Sequence, residues 1–261
     1  MKEQSEDIKK KVQQQFGQHA EKYVTSSTHA TGSDLALLPD WLQLHPNSVA
    51  LDIATGGGHA AKALAPHAAQ VFATDLTYKM LETAKRHLDP FAANIFYVTA
   101  DAESLPFLDN TFDAATCRIA PHHFPHPEKF VKEVARVLKP GGKFLLIDNI
   151  APEEKELDDF VNRLEKLRDD SHVRSYSVKE WTVWFEQAGL TLQKEAFRKK
   201  TFNYPDWVRR TTTSAEQIKQ VDAHLLSAGK VTQDYFSIHS TNDDIQSLTI
   251  DEWMALAEKS L

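Results

Sequence analysis

Several features that mark other classes of protein are scarce or missing in this sequence. Cys117 is the single cysteine among 261 residues, which excludes a disulfide within the chain and any cysteine-rich zinc site. Residue 117 falls in an apolar segment, so we expect a buried, inert thiol. No apolar run approaches bilayer length, and the charged N-terminus has no apolar signal region. We therefore expect a cytoplasmic protein without a membrane span.

Positive charge is also scarce. The sequence has 30 lysines and arginines against 37 aspartates and glutamates, a net charge of −7, and it has no sustained basic run. Nucleic acid is therefore a poor candidate partner, because phosphate recognition needs clustered lysine and arginine. The length suits one large α/β domain with a substantial core. No sequence feature indicates an oligomeric state.

What the sequence does contain is a strand, a tight turn and a helix start in direct succession. The apolar run Val49–Ile53 leads into three glycines at 56–58, and the helix-forming segment His59–Leu64 follows. Glycines let the backbone turn sharply and approach a ligand closely. The unpaired N–H groups and the dipole of a helix start favour an anion. We expect a carboxylate or phosphate to dock at Thr55–His59.

This loop alone does not identify the ligand. Gly56, Gly58 and Ala61 satisfy the dinucleotide fingerprint G-x-G-x-x-G/A. A second strand at 70–74 ends on Asp75, at the interval of about 20 residues typical of a carboxylate that bonds ribose hydroxyls. Asp75 therefore supports a nucleoside ligand without choosing its class. It could equally cap the helix that follows.

Periodicity predicts the elements beyond this unit. Apolar residues at helical spacing indicate amphipathic helices at 127–138, 153–170 and 215–226. Ser177 and Glu180 have the spacing of a capping box, which predicts another helix start. A sixth strand is expected at 191–197.

The glycine loop also resembles the D-x-G-x-G-x-G motif of class I S-adenosylmethionine (SAM) methyltransferases. Asp52, Ala54, Gly56 and Gly58 carry the resemblance, with Ala54 in place of the first glycine. Asp101-Ala102, which follows a third strand at 94–100, resembles the same family.

Two further segments resemble the quinone-biosynthesis type within that family. They are L-K-P-G-G at 138–142, before a fifth strand, and F-G-Q-H-A-E-K-Y at 16–23. In that family the second segment helps to close the cofactor site. The resemblance spans roughly residues 16–199 and is firmest over 47–149.

The resemblance implies an α/β fold, namely a doubly wound, Rossmann-like sheet of seven strands. Six strands would run parallel and one antiparallel, with an N-terminal helical lid and helical insertions near the C-terminus. Residues 1–46 would form the lid segment, 47–150 the SAM-binding core, and 151–261 the remainder of the same domain with acceptor-side helices. The last strand would fall at 251–259, although helix propensity and a possible Asp251 cap there favour a helix. We follow the topology and predict a strand.

The implied activity is SAM-dependent methyl transfer to the oxygen, carbon or nitrogen of a small molecule. The residues implied to bind SAM are Asp52, Ala54, Thr55, Gly56, Gly58, Asp75, Leu76, Met80, Asp101, Ala102 and Arg118. In the family, the residue matching Asp101 accepts a hydrogen bond from the adenine amino group. Candidates on the acceptor side are Tyr23, Arg118, His123, Arg168, Asp169 and His172, with His123 and His172 as candidate catalytic bases.

Other interpretations stay open at this point. Three histidines at 122, 123 and 126 invite a metal site, but no carboxylate stands at helical spacing to complete one, so we expect no metal. A nicotinamide-dependent oxidoreductase is supported by G-x-G-x-x-A and opposed by Asp101-Ala102 and L-K-P-G-G. A SAM-binding protein without catalysis is also compatible with the glycine loop. The polar segment 168–176 that holds Arg168 and His172 is also what a solvated linker would look like.

Overall fold

The molecule is described by a computed structural model. It covers the backbone of residues 2–25, 32 and 34–261, and the side chains of residues 5–17, 21, 32 and 34–261. The side chain of Tyr23, a predicted acceptor contact, lies outside the described residues.

Ten helices and eight strands are described. Helices α1 to α10 span Lys2–Thr25, Leu38–Leu42, His59–Leu64, Tyr78–Leu88, Pro127–Val137, Lys155–Arg168, Val178–Gln187, Tyr204–Val208, Ala215–Leu226 and Lys230–Tyr235. Strands β1 to β8 span Val49–Ile53, Gln70–Asp75, Ile95–Thr99, Phe112–Arg118, Leu138–Asn149, Leu190–Asn203, His239–Thr241 and Asp244–Lys259.

One sheet organises the chain, in the order β3-β2-β1-β4-β5-β8-β6. The neighbours from β3 to β5 pair in parallel, and β8 runs antiparallel to both β5 and β6. The prediction of six strands in one direction and one against them is therefore confirmed. The short strand β7 adds a hairpin on β8.

The C-terminal segment resolves the conflict between helix propensity and strand topology. Residues 251–259 belong to β8, so the prediction of a strand is confirmed and Asp251 caps no helix. The run from Trp253 to Ala257 is buried on both faces of the sheet, and β8 has partners on both sides. Pairing and burial outweigh local propensity here. Pairing with β8 also carries β6 past its predicted end at 197, to Asn203.

Helices cover both faces of the sheet, as parallel strands require. One layer packs aromatic residues such as Phe130, Trp181 and Phe185 against the sheet. The opposite layer includes Trp41 and Leu64. A third apolar cluster packs α6, α8 and α9 against β6 and β8. These helices are the helical insertions predicted near the C-terminus.

The predicted capping box is present at the start of α7. Ser177 Oγ accepts a hydrogen bond from the Glu180 backbone N–H over 3.3 Å, and Glu180 Oε2 accepts one from the Ser177 N–H over 2.8 Å. Two N–H groups that the helix cannot pair are thereby satisfied.

Helix α1 lies against α4 and reaches the carboxyl ends of β2 and β3. Gln13 donates to the Leu76 carbonyl over 3.1 Å, and Lys9 Nζ lies 2.6 Å from carboxylate oxygens of both Asp101 and Glu103. These contacts hold α1 over the edge where open α/β sheets bind ligands, which is the predicted position of the lid.

Candidate functional site

A cavity lies at this carboxyl edge beneath α1, and we call it the edge cavity. Its wall contains every residue implied to bind SAM except Gly58, namely Asp52, Ala54, Thr55, Gly56, Asp75, Leu76, Met80, Asp101, Ala102 and Arg118. Other wall residues include Lys9, Val12, Phe16, Gly57, Glu103, Ile119 and Phe124. Of the acceptor-side candidates with described side chains, Arg118 and His123 line the edge cavity, whereas Arg168, Asp169 and His172 do not.

Gly58 serves packing rather than the cavity. Its φ is +82°, and a Cβ at this position would collide with the Leu88 side chain on α4. Glycine is needed because both the left-handed backbone and the close approach of α4 exclude a side chain. The prediction that Gly58 lines the ligand site is not matched by its position.

Two non-glycine residues of the cavity wall also have left-handed backbones. Ala54, at the end of β1, and Ile119, just after β4, both have a φ of +54°. Such a conformation costs on the order of 1–3 kcal/mol and concentrates at functional sites. The resemblance places a glycine at position 54, and Ala54 keeps that backbone conformation despite its side chain.

Asp52 organises the glycine loop from inside the protein. Its Oδ2 accepts hydrogen bonds from Thr55 Oγ1 over 2.5 Å and from the Ala61 N–H over 3.0 Å. Burial raises the pKa of Asp52 to about 7, because a desolvated carboxylate is costly.

This raised pKa predicts how stability changes with pH. An unfolded aspartate titrates near pH 4, so between about pH 4 and pH 7 the folded state binds more protons than the unfolded state. The unfolding free energy contributed by Asp52 therefore falls as pH rises through that window, by on the order of 4 kcal/mol. Asp52→Asn keeps an acceptor oxygen but never ionises. We expect the variant to be more stable than the wild type at about pH 8, with the difference disappearing towards pH 4.

Denaturant unfolding across this pH range measures the effect. The exposed Asp159→Asn serves as the control and should leave the pH dependence unchanged. Parallel stability curves for Asp52→Asn and the wild type would contradict the prediction.

Asp75 ends β2 and ties two segments together. Its Oδ1 accepts from the Thr77 N–H over 2.8 Å, and its Oδ2 accepts from the Gly56 N–H over 3.0 Å. Burial raises the pKa of Asp75 to about 6. Asp75 therefore links the glycine loop to Thr77, the residue before α4, but it accepts from no N–H of the helix itself, so the alternative role as a helix cap is wrong. Asp75 also lies on the cavity wall.

Arg118, at the end of β4, belongs to a buried charge network. It forms an ion pair with Asp34, which also lies 3.3 Å from Arg198 on β6. Arg198 in turn pairs with Glu252 on β8, where Lys200 Nζ lies 2.7 Å away. Asp34 therefore holds the Arg118 guanidinium in place, and Arg118 also faces the edge cavity.

Histidines occupy the turn after β4. His122 Nδ1 lies 2.7 Å from Asp148 Oδ1 at the end of β5. Burial opposes a charge on His122, but Asp148 raises its pKa. The ring of His123 lies 4.3 Å from that of His122 and 5.0 Å from that of Phe16 on α1, centroid to centroid, and the Phe16 and His123 rings are nearly perpendicular.

In the segment 168–172 behind this turn, Asp169, Ser171 and His172 are buried, whereas Asp170 is exposed. His172 Nε2 lies 3.1 Å from Asn162 Oδ1, and burial lowers the pKa of His172 well below its ordinary value. Arg168 stacks on the Trp207 ring and pairs with Glu165. The linker interpretation is therefore wrong for these residues.

Comparison with known proteins identifies the family. The methyltransferase domain family matches residues 51–146. An uncharacterized methyltransferase of Bacillus subtilis, YcgJ, is 40% identical over 224 residues, which cover 85% of this chain and 88% of the relative. The chain belongs to the methyltransferase domain family.

The methyltransferase also matches in three dimensions. The crystal structure of YcgJ superposes with a TM-score of 0.85 at 37% identity, covering 87% of this chain and 98% of that one. A ubiquinone biosynthesis O-methyltransferase of Coxiella burnetii is 32% identical over 148 residues, which cover 54% of this chain and 63% of the relative. The protein is a SAM-dependent methyltransferase, and the nicotinamide alternative is set aside.

The edge cavity suits a nucleoside with a charged amino-acid tail. Carboxylates of Asp75 and Asp101 stand on its wall beside the apolar side chains of Leu76 and Met80. When bound, SAM supplies an activated methyl group on a sulfonium. Within the described part of the chain, no group of three His, Cys, Asp or Glu side chains is placed to hold a metal ion, and the expectation of a metal-free site stays a prediction. Of the described helices, none could cross a bilayer.

Proposed function

We propose that this methyltransferase acts on a small-molecule acceptor that enters the edge cavity next to His123. The observation that carries the proposal is the position of α1. Lys9, Val12 and Phe16 of this helix form part of the cavity wall, and Lys9 is tied to Asp101 and Glu103. A compact acceptor can share this covered space with SAM, whereas a macromolecule would have to displace the helix.

Each carboxylate of the wall has a proposed partner on SAM. Asp75 accepts hydrogen bonds from the ribose hydroxyls, and Asp101 accepts one from the adenine amino group. Leu76 and Met80 pack against the nucleoside. Arg118 faces the methionine end while Asp34 holds its guanidinium in place.

The acceptor side is proposed to centre on His123. Arg168 and His172 would influence turnover through the packing behind the turn, since neither lies on the cavity wall. A role for Tyr23 stays a prediction. Oxygen as the methylated atom is supported by the O-methyltransferase named above, and a small acceptor by its naming for ubiquinone biosynthesis.

Ligand binding gives the first test. In calorimetric titrations, we expect SAM and S-adenosylhomocysteine to bind far more tightly than NADH, because the wall combines Asp75 with Asp101. Micromolar NADH binding without SAM binding would contradict the cofactor assignment.

Label transfer tests the acceptor class. The enzyme is incubated with methyl-labelled SAM and a cell extract, which is then separated by ultrafiltration. The low-mass fraction also holds unreacted SAM and is therefore resolved by chromatography, where we expect labelled compounds other than SAM. Label retained in protein or nucleic acid would overturn the proposal, and heat-inactivated enzyme provides the background.

A further inference from the structure

A continuous chain of buried hydrogen bonds lies behind His123. The Nδ1 atom of His123 lies 3.0 Å from the Ser171 carbonyl oxygen and 3.3 Å from Ser171 Oγ. Ser171 Oγ donates to Asp169 Oδ1 over 2.5 Å, and the Ser171 N–H donates to the same oxygen over 2.8 Å. All three residues are buried. We call this set the Asp169–Ser171–His123 relay.

The relay determines which nitrogen of His123 carries the proton. A backbone carbonyl can only accept, so Nδ1 of the ring is the protonated nitrogen. Nε2, on the ring edge opposite Ser171, therefore keeps its lone pair. Because Ser171 does not line the edge cavity and His123 does, Nε2 is the nitrogen available to a molecule in the cavity.

The surroundings of His123 keep its imidazole neutral before the reaction, so that the ring can accept a proton. The titratable neighbours are His122 on its own turn, Asp148 on β5, and Asp169 and His172 after α6. From α1 the ring meets Phe16, which does not titrate. Burial, followed by repulsion from His122, lowers the pKa of His123 to about 4. Asp169 acts in the opposite direction, because its charge stabilises an imidazolium.

These properties restrict the acceptor. Proton transfer to a base is easier when the pKa values of the two groups are closer. Phenols and enols are far more acidic than aliphatic alcohols, so they leave the smaller difference in pKa for His123 to overcome. The wall near His123 contains the apolar side chains of Phe16, Ile119 and Phe124, which suit a flat ring better than a sugar.

We propose that His123 takes the proton from an acidic hydroxyl, a phenol or an enol, on the methyl acceptor. Ser171 and Asp169 are positioning residues that fix the imidazole tautomer and stabilise its cation. This inference rests on the proposed function and narrows it to one substrate class.

Methyl transfer to the acceptor oxygen releases the proton of the hydroxyl. The acceptor oxygen gives a lone pair to the methyl carbon, the carbon–sulfur bond breaks, and its electron pair remains on sulfur as S-adenosylhomocysteine forms. The hydroxyl proton moves to Nε2 of His123 and then to solvent. The products are the methyl ether, S-adenosylhomocysteine and one proton.

Turnover is measured with phenols of graded acidity, from para-nitrophenol to para-methoxyphenol, and with aniline, which has no hydroxyl. For para-methoxyphenol, His123→Asn should lower kcat by about 10²- to 10⁴-fold, the usual contribution of a general base, with SAM affinity unchanged. The loss should shrink for para-nitrophenol at a pH where this acceptor is already ionised. An equal loss for both phenols would mean that His123 only packs against the acceptor, and would overturn the proposal.

The positioning roles of Asp169 and Ser171 are tested by the kinetics of their own variants. Asp169→Asn should lower kcat by about tenfold, equivalent to one charge-assisted hydrogen bond, with KM retained and a steeper dependence on phenol acidity. Ser171→Ala provides a second route if Asp169→Asn unfolds. Asp251→Asn on β8, which removes a carboxylate paired with Lys199, is the matched control and should leave the kinetics unchanged. A loss no larger than that of this control would remove the relay from catalysis.

If none of the phenols is methylated, the protonation state of His123 is measured directly. Two-bond proton–nitrogen NMR, assigned with His123→Asn, should show His123 with a protonated Nδ1 and a bare Nε2 at neutral pH. An Nε2–H tautomer or an imidazolium would overturn the proposal. Methylation of aniline alone would also overturn it while leaving the small-molecule function intact, whereas absent SAM binding would defeat the proposed function itself.

Discussion

Asp75→Ala is expected to weaken SAM binding by about 10²-fold or more, because hydrogen bonds to a charged group contribute about 1.5–3 kcal/mol each and water replaces them only in part. Its carboxylate stands on the cavity wall and already orders the glycine loop through the Gly56 N–H. The substitution therefore removes both a proposed ribose contact and the support of the loop. Calorimetric titration with SAM measures the change.

Two further variants show whether the loss of affinity in Asp75→Ala comes from the proposed ribose contact. Asp101→Ala should weaken binding less, since one neutral amino group donates to it and water can compensate. Glu82→Ala, an exposed carboxylate on α4 paired with Lys79, should leave binding unchanged. If Asp75→Ala binds SAM like the wild type, the carboxylate only holds the Gly56 and Thr77 backbone N–H groups and does not contact the ribose.

The raised pKa of Asp75 adds a pH signature. Burial places this pKa at about 6, and a protonated carboxyl is a poorer acceptor for ribose hydroxyls. SAM affinity should therefore fall as pH decreases through about 6.

Asp34→Ala is expected to lower the unfolding free energy by about 3–5 kcal/mol, the usual effect of removing one partner from a buried ion pair. Asp34 is 1% exposed and lies against both Arg118 and Arg198. Without it, the Arg118 guanidinium would lose this buried carboxylate, while Arg198 would keep its pair with Glu252. Denaturant unfolding at neutral pH measures the loss.

The surface pair of Lys230 and Asp234 on α10 gives the control. Asp234→Ala should change the unfolding free energy by less than about 1 kcal/mol, because both partners are solvated. Burial opposes ionisation of Asp34, but Arg118 and Arg198 lower its pKa. Its stabilising contribution is therefore present above the unfolded pKa of about 4 and is lost as pH falls through the lowered folded value. A change as small as that of Asp234→Ala would contradict the prediction.

The parallel core could be predicted from the sequence because its signals are local. A buried strand between two others needs a continuous apolar run, so Val49–Ile53 is recognisable without its neighbours. The glycines after β1 and the carboxylate at the end of β2 stand at fixed offsets from those strands. Ten of the eleven residues implied to bind SAM lie on the cavity wall, and the eleventh, Gly58, lies against Leu88 instead.

Contacts between segments distant in sequence could not be predicted in this way. Lys9 meets Asp101, Asp34 meets Arg118, and Ser171 meets His123, yet no periodicity links such pairs. The polar run at 168–172 has the composition of a linker. Most of it is buried because its polar groups find partners on α6 and on the turn after β4.

The amino-acid sequence by itself determined the α/β class, the glycine loop and the acidic residues at the strand ends, because strand burial and turn chemistry are encoded within a few neighbouring residues. Only the tertiary structure decided that His123 rather than His172 faces the cavity, that β6 continues to Asn203, and that Asp169 and Ser171 stand behind His123. Those outcomes depend on pairing and burial between segments far apart in the chain, and such interactions outweigh local propensity once the sheet has formed.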